Sequence, residues 1–356
     1  MNPKIKIALA FSIIPQLIFV KWFGNYPDLV EKYYSEGIYP AISNFLRLLF
    51  GWIPFSMGDI FYTLAVFALL RYLYYKGKLI FKKPLAFLQD LGITLSIAYF
   101  IFHLFWGLNY YRIPIQEKIE INANYNAKEL EDFTRYLVKE TNRLQLVLAK
   151  NDSTQKITIP YSQKKIFIKT QEGYSTLVKS YPQFNYKNKS LKKSLFSLPL
   201  TYMGYGGYLN PFTNEAQVNA KMPILKIPTV SGHEAGHQLG YSSESATNFV
   251  GLLVTVKNKD LYFKYAAYSN ALGYCLNDLR QYDQEKSTEI IESLHPGVRN
   301  NYREITVFWQ QYENPTEPIF KWAFNAFLKA NNQADGIKSY NAVVGLLIGY
   351  HNKHGF

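Results

Sequence analysis

The sequence is short of cysteine and of charged side chains. Only one cysteine, Cys275, occurs in 356 residues, so neither an intramolecular disulfide nor a cysteine-ligated zinc cluster can form. Charged residues make up 18% of the chain, almost matched by aromatic residues at 17%, and this balance is typical of membrane proteins with interfacial aromatic belts. Cys275 lies in the apolar stretch "ALGYCLNDL", which predicts a small buried residue.

The positive charge does not follow a nucleic-acid-binding pattern. The net charge is +13, but its lysines are spread singly among tyrosines and asparagines. We find no helix-turn-helix, zinc-finger or aromatic RNP pattern. We therefore expect no nucleic-acid partner, and we interpret the excess charge as an orientation signal for a membrane protein.

Three long apolar runs predict transmembrane helices at about 4–23, 57–75 and 91–110. Each is long enough to approach the roughly 30 Å thickness of a bilayer core. The first run also resembles the apolar core of a signal peptide, but no small-x-small cleavage site follows it, which favours an uncleaved span. The lipid bilayer is thus a predicted partner.

The loop charges predict an orientation for these spans. Five cations lie at or between the ends of the second and third spans: Arg71, Lys76, Lys78, Lys82 and Lys83. Positively charged loops stay in the cytoplasm, so the N-terminus is predicted to be cytoplasmic and everything after about residue 112 extracytoplasmic. The predicted division is a membrane region, 1–112, and a globular region, 113–356.

The globular region is predicted to be α+β and mainly α. The segment 126–150 has leucines and a phenylalanine at helical spacing. The runs "KITIPYS" and "KKIFIKT" are strand-like, and "EAQVNAKM" alternates as an edge strand should. Helical patterns dominate from about residue 231 onwards.

The stretch "SGHEAGHQLGYSSESATNFVG", 231–251, carries the chemistry. On a helix, His233 and His237 lie one turn apart on one face and can bind the same cation. Glu234 lies one position round, where it can reach a water on that cation, as in zinc peptidases with the pattern H-E-x-x-H. Ser231 is a candidate N-cap, and Gly240 can end the helix in a left-handed turn.

A catalytic zinc ion has three protein ligands and keeps a fourth position open. Glu244 follows the turn after Gly240 and could begin a second helix that brings its carboxylate to the ion. The alternative interpretation makes Glu244 a solvated acid favoured by the helix dipole. Asn248 lies four residues further on, on the same face, where it could hydrogen-bond a metal-binding histidine.

The positions of the methionines argue against the metzincin class. Metzincins require a methionine turn downstream of the histidines, whereas the four methionines all lie upstream. In addition, Ser243 occupies the position of the third metzincin histidine.

The segment "HEAGHQLGYSSESATNF" resembles the active-site segment of a domain-of-unknown-function family of bacterial membrane proteins. Its members have N-terminal spans and a predicted gluzincin-type zinc-peptidase domain. The likeness covers almost the whole chain, through "SEGIYPAISNFL", "GWIPFSMGDI", "FWGLNYYRIP", "YLNPFTNEAQVN", "HPGVRNNYRE" and "KSYNAVVGLLIGY". The resemblance implies one Zn²⁺ on His233, His237 and Glu244, with Glu234 as general base. It also implies a zincin-like domain attached to the bacterial cytoplasmic membrane. The related gluzincins have an aspartate where this chain has Asn248.

Further residues are candidates for binding the substrate or the transition state. Glu215 and Asn219 lie in the predicted edge strand, beside which a peptide could bind as an added strand; both could equally be turn and edge residues. Tyr340 and Arg299 are candidate donors to an oxyanion, although each fits a structural role as well.

Together these observations predict a membrane-anchored zinc peptidase that acts on a peptide or protein substrate, with Glu234 activating water. The alternative is a non-catalytic membrane protein, a scaffold or transporter-like chain, in which a zinc site is structural or vestigial. A fourth protein ligand that closes the site would favour the alternative.

Overall fold

The computed structural model describes residues 2–333 and 342–356. Within these residues the chain is mainly helical, with a small three-stranded sheet and apolar helices at the N-terminus. The predicted class, mainly α with a small sheet, is confirmed at this level.

The N-terminal third contains the apolar helices. They are α1 (Pro3–Phe11), α2 (Ile13–Gly24), α3 (Pro27–Leu29), α4 (Tyr39–Phe50), α5 (Met57–Lys76), α6 (Leu79–Lys82) and α7 (Pro84–Phe105). A π-helical segment, Val30–Ile38, joins α3 to α4, and a 3-10 turn, Gly107–Tyr111, follows α7. By length and composition, three segments could cross a membrane. The first is α1 together with α2, the second is α5, and the third is α7.

The third candidate span differs from its prediction of about 91–110. The helix begins at Pro84 and ends at Phe105. Proline is favoured in the first turn of a helix because its missing N–H has no partner there in any case. Asp90, which directly precedes the predicted span, lies inside the helix and accepts a hydrogen bond from the Tyr72 hydroxyl at 3.1 Å.

The remaining helices surround the sheet. They are α8 (Ile115–Lys118), α9 (Ala127–Leu148), α10 (Gln163–Leu177), α11 (Ser197–Tyr202), α12 (Ile227–Gln238), α13 (Glu244–Val256), α14 (Leu261–Tyr282), α15 (Gln284–Glu292), α16 (Pro296–Gln310), α17 (Glu317–Ala330) and α18 (Val343–His354). Short 3-10 turns lie at Pro182–Phe184 and Ile224–Lys226. The strands are β1 (Leu191–Lys193), β2 (Gly207–Asn210) and β3 (Glu215–Val218).

Helix α9 agrees with the pattern in its sequence. Asn126 and Glu129 form a reciprocal capping box that satisfies two backbone N–H groups at the start of the helix. Leu130, Phe133 and Leu137 recur at helical spacing, and all three are buried in the main hydrophobic core. Cys275, as predicted, is buried in the same core.

The two strand-like runs before the sheet do not form strands. "KKIFIKT" lies in helix α10, which buries Ile166 and Thr170 and leaves Ile168 exposed. An alternation as short as Ile-x-Ile is compatible with the two-residue period of a strand and with the 3.6-residue period of a helix. In "KITIPYS", the backbone N–H and C=O of Ile157 pair with the side-chain amide of Asn301 at 3.0 and 2.9 Å. That amide takes the place of a neighbouring strand.

The sheet has the strand order β1-β3-β2. Strand β3 pairs in parallel with β1 and antiparallel with β2, so "EAQVNAKM" contributes the central strand and its prediction as an edge is wrong. All four residues of β3 are buried. The alternation of apolar and polar residues indicates an edge only when polar side chains face water, whereas here they form buried hydrogen bonds.

The N-terminal third is packed directly on helix α12. The C-terminal carbonyl groups of this helix accept hydrogen bonds from Tyr39, Ser43 and Trp106. Arg112 binds the Glu31 carboxylate through two nitrogens, at 2.6 and 3.1 Å, and donates to the Gly240 carbonyl at 3.0 Å. Segments on both sides of the boundary predicted at residue 112 therefore pack together and hold one end of α12.

Candidate metal centre

Helix α12 begins earlier than the sequence indicated. It starts at Ile227, with Pro228 in the first turn, so Ser231 lies inside the helix and is not its N-cap. The Ser231 hydroxyl is buried and has no hydrogen-bond partner among the described residues. Because α12 begins four residues upstream, His233 and His237 lie in its last two turns.

Gly240 ends α12 as predicted. Its φ is +82°, the left-handed region that favours glycine. The Gly240 N–H donates to His237 O at 2.9 Å and the Tyr241 N–H donates to Gly236 O at 3.2 Å, which is the Schellman pattern. The chain reverses here, and α13 begins at Glu244.

Helices α12 and α13 approach closely where both carry glycine. A Cβ atom added to Gly251 would lie 2.7 Å from the backbone nitrogen of His233 and 2.7 Å from the backbone oxygen of Thr229. A Cβ atom added to Gly232 would lie 3.0 Å from the backbone of Gly251. Any larger side chain at this crossing would force the helices apart. The close crossing brings the first two turns of α13, with Glu244 and Asn248, against the histidines.

The three predicted ligands converge. Nε2 of His233 lies 3.4 Å from one Glu244 carboxylate oxygen, and Nε2 of His237 lies 3.8 Å from the other. Two atoms bound to one zinc ion at about 2.1 Å in tetrahedral order lie roughly 3.4 Å apart. The donor set of two imidazoles and one carboxylate therefore fits zinc in its chemistry, and the two nitrogen–oxygen distances, each to a different oxygen of Glu244, lie near this spacing.

Hydrogen bonds at Nδ1 fix the orientation of both imidazoles. Nδ1 of His233 lies 2.9 Å from Asn248 Oδ1, and Nδ1 of His237 lies 2.7 Å from the Tyr241 carbonyl. Since each partner accepts, each Nδ1 carries a proton, which leaves Nε2 as the nitrogen that can bind a metal ion when the ring is neutral. This is the tautomer that a metal-binding histidine needs. The structure thus puts Asn248 where the sequence predicted it.

Glu234 is buried beside the histidines. Ligand atoms of His233, Glu234 and His237 all lie within 4.8 Å of one another. Oε2 of Glu234 is buried without a hydrogen-bond partner among the described residues, which is costly unless a ligand or water completes the site. Strand β2 passes close by, since a Cβ on Gly207 would lie 2.6 Å from Glu234 Oε1.

Burial and neighbouring charges together set the protonation of this cluster. It raises the pKa of Glu234 to about 8, and it lowers the pKa of His237 to about 4, helped by the charge of His233. Burial also opposes protonation of His233, but the Glu244 carboxylate and the Glu234 charge outweigh it and raise the His233 pKa. A divalent cation would favour ionised Glu234 and neutral histidines.

A cavity of about 1030 Å³ opens over the cluster. His233, Glu234, His237 and Glu244 all contribute to its wall. Most of the remaining wall is aromatic or apolar and includes Tyr62 of α5, Phe102 of α7, and Phe324 and Phe327 of α17. The cavity therefore borders two of the helices that are apolar enough to cross a membrane.

The two predicted substrate-binding residues, one in β3 and one directly after it, are not part of the cavity wall. Glu215 is fully buried and accepts hydrogen bonds from the Gly58 and Met57 N–H groups at 2.6 and 3.3 Å, so it caps the start of α5. Asn219 is also fully buried and donates to Thr201 Oγ1 and to Tyr205 O. Glu215 on the central strand and Asn219 directly after it thus turn their polar groups into the interior.

The two predicted oxyanion donors are not at the site either. Arg299 is exposed on α16 and is not part of the cavity wall. Tyr340 lies outside the described residues.

Other phenols, which the sequence reasoning missed, lie near Glu244. Burial raises the pKa of Tyr110, Tyr205 and Tyr274, and the Glu244 charge raises each further, in the case of Tyr274 to about 12. All three line the cavity. With 30 tyrosines in the chain, no local pattern separates these from the rest.

Residues 34–348 match a protein family described as "Protein of unknown function (DUF3810)". The chain belongs to this family. The description of DUF3810 assigns neither an activity nor a metal, and the match covers α4 to α17 and the first half of α18. No curated protein matches the chain. No solved structure matches it either.

Proposed function

We propose that this DUF3810 protein is a membrane-anchored zinc peptidase. The observation that carries the proposal is the convergence of His233, His237 and Glu244, at Nε2-to-carboxylate distances of 3.4 and 3.8 Å, beneath a large cavity. Glu234 provides a further functional group beside the two histidines.

Zinc bound by these residues would act as a Lewis acid on the scissile carbonyl and lower the pKa of a water molecule towards about 7. Glu234 accepts a proton from the attacking water at its carboxylate. The water oxygen forms a bond to the carbonyl carbon, the carbon–nitrogen bond breaks, and Glu234 passes the proton to the leaving amine. The burial that favours protonated Glu234 also suits it to this second, acidic step.

Site openness favours catalysis over the structural-zinc alternative. A structural zinc site has four protein ligands and is closed. The candidate ligands here line a cavity that could hold a peptide segment. Strand β2 is an edge of the sheet and contributes Gly207, Tyr208 and Leu209 to the cavity wall. We therefore propose β2, in place of β3, as the strand beside which the substrate binds.

Removal of the metal tests the proposal. The full-length chain, purified in detergent, is expected to contain about one zinc ion and to hydrolyse an unstructured peptide mixture. A chelating phenanthroline should lower the rate by more than about 100-fold and added zinc should restore it, because zinc supplies both the electrophile and the activated water. Mass spectrometry measures the products and elemental analysis the metal. The non-chelating phenanthroline isomer is the matched control, and full activity in zinc-free protein would contradict the proposal.

We propose Tyr274 as the donor to the developing oxyanion. Its side chain is partly exposed at the cavity wall, and its hydroxyl has no partner among the described residues. Tyr110 is only 6% exposed, and the Tyr205 hydroxyl already donates to Phe320 O at 3.2 Å.

Tyr274→Phe is expected to lower kcat by roughly 100-fold, the usual cost of removing one such donor, with KM and zinc content little changed. Tyr205→Phe is the control and should keep most of its activity. A Tyr274→Phe variant with the kcat of the wild type would exclude this role.

A further inference from the structure

Lys226 is a cation in the cavity wall for which the described protein provides no counter-charge. It is the only lysine or arginine among the described residues that line the cavity. The cavity's two carboxylates, Glu234 and Glu244, both belong to the metal centre, and no carboxylate of the described residues lies within salt-bridge distance of Lys226. Its hydrogen-bond partner is the neutral Asn270 Oδ1.

The contact with Asn270 is preorganised. Asn270 is 6% exposed, and its Nδ2 donates to Ala266 O at 2.7 Å. The side-chain oxygen is thereby turned towards the ammonium group of Lys226, which has three donors. The remaining donors are available to a ligand in the cavity, because Lys226 is partly exposed and lines that cavity.

Lys192 shows what a structural lysine looks like in this protein. It too is largely buried, but its Nζ donates to backbone carbonyl groups of the loop after α4, including Gly51 O at 2.9 Å, and lies 4.0 Å from Glu215. The surroundings of Lys192 thus account for its charge, whereas those of Lys226 do not. Burial of Lys226 lowers its pKa to about 8, and an anionic ligand would offset that cost.

The position of Lys226 in the chain gives its separation from the metal centre along helix α12. It directly precedes α12 and lies seven residues before His233, or about 10 Å at 1.5 Å per residue. Val230, His233 and His237 line the cavity along the same helix. Since an extended peptide covers roughly 3.3 Å per residue, this axial separation of the two backbone positions matches about three residues of substrate.

We infer that Lys226 and Asn270 form a subsite that binds a carboxylate of the peptide substrate, about three residues from the bond that is cleaved. The inference rests on the proposed peptidase function, whose site it extends. The carboxylate belongs either to the C-terminus of the substrate or to an acidic side chain. The first source makes the protein a peptidase of chain ends, and the second an endopeptidase with an acidic preference.

The experiment uses fluorescent peptides that differ only in charge. One pair has a free or an amidated C-terminus, and another has an internal glutamate or glutamine. Full-length protein in detergent, loaded with zinc, is compared with Lys226→Met, Lys226→Arg and the control Lys221→Met. Lys221 is exposed and lies five residues upstream. Zinc content and thermal unfolding check that each variant is folded.

Lys226→Met is expected to lower kcat/KM for the preferred charged peptide by about 10- to 100-fold, mainly through KM, because it removes a charge-assisted hydrogen bond. The rate on the uncharged member of that pair should change less than about 3-fold. Lys226→Arg should keep part of the preference, and Lys221→Met all of it. Whichever pair the wild type discriminates identifies the source of the carboxylate. Equal loss on charged and uncharged peptides, or no preference in the wild type, overturns the subsite.

Peptide binding separates this inference from the proposed function. Fluorescence anisotropy on the Glu234→Gln variant measures affinity without turnover, and the charged peptide is expected to bind at least 10-fold more tightly than its neutral partner. If the binding preference depends on Lys226 but the wild-type protein hydrolyses no peptide, the subsite is supported and the peptidase function is refuted. If the wild type hydrolyses peptides without any charge preference in binding, the peptidase function is supported and the subsite is refuted. If neither hydrolysis nor the preference is found, both proposals are refuted.

Discussion

Replacing Glu234 with glutamine is expected to abolish peptide hydrolysis and leave zinc binding intact. The general base contributes about 10²–10⁴ to the rate of such reactions, and we expect a loss near the upper end because Glu234 both accepts and returns the proton. Glutamine has the same shape as glutamate but cannot take a proton from water. Hydrolysis assays and elemental analysis on the same preparation measure the two quantities.

The local structure makes Glu234→Gln a clean substitution. Oε2 of Glu234 has no hydrogen-bond partner among the described residues, so the change breaks no contact there that supports the fold. Glu285→Gln, at an exposed position on α15, is the matched control and should retain full activity. Turnover within about 3-fold of wild type in Glu234→Gln would refute the general-base mechanism.

Glu244→Ala is expected to lower zinc affinity by about 100- to 1,000-fold. If the roughly 10–16 kcal/mol of a zinc site is shared among four ligands, each ligand contributes about 2.5–4 kcal/mol. Glu244→Gln should lose a similar amount, because the neutral amide keeps the shape of the side chain but not its charge. Competition with a zinc-binding dye measures the affinity, and peptide hydrolysis should fall with zinc occupancy.

The control for Glu244 is its neighbour Ser245. Its hydroxyl lies 2.8 Å from that of Ser243, in the residues at which α13 begins. Ser245→Ala should perturb the start of the helix slightly and keep the zinc affinity. If Glu244→Ala binds zinc as tightly as the wild type does, Glu244 is not a ligand and the three-ligand site proposed here is wrong.

The sequence predicted the local geometry of the centre because that geometry depends on short-range rules. The spacing of His233 and His237 defines one helical face, Gly240 provides the left-handed turn, and Glu244 follows at the start of the next helix. The segment from His233 to Asn248 holds all of this information. The ligand and catalytic roles of these residues stay predictions until zinc and turnover are measured.

The inside–outside orientation also stays a prediction from the loop charges. The apolar helices themselves were recognisable from length and composition, which the requirements of a bilayer make nearly sufficient. The boundaries of these helices were harder to recognise from the sequence, since Pro84 and Asp90 are compatible with either a loop or a helix.

Where the sequence reasoning failed, long-range contacts decided the outcome. Glu215 and Asn219 looked like exposed edge residues, but β1 and β2 cover β3 on both sides, and the Glu215 carboxylate caps α5, more than 150 residues upstream. Likewise, no local pattern could show that Tyr39, Trp106 and Arg112 from the apolar third would bind the end of α12.

The sequence by itself determined which residues could hold a metal ion and which helices could enter a membrane, because helix periodicity and apolar length act within a few turns. Only the tertiary structure decided what surrounds the centre: the edge strand β2, the aromatic cavity, and Lys226 in the cavity wall beside Asn270. Burial and pairing depend on side chains far apart in the chain, and their free energies are set only when those side chains meet.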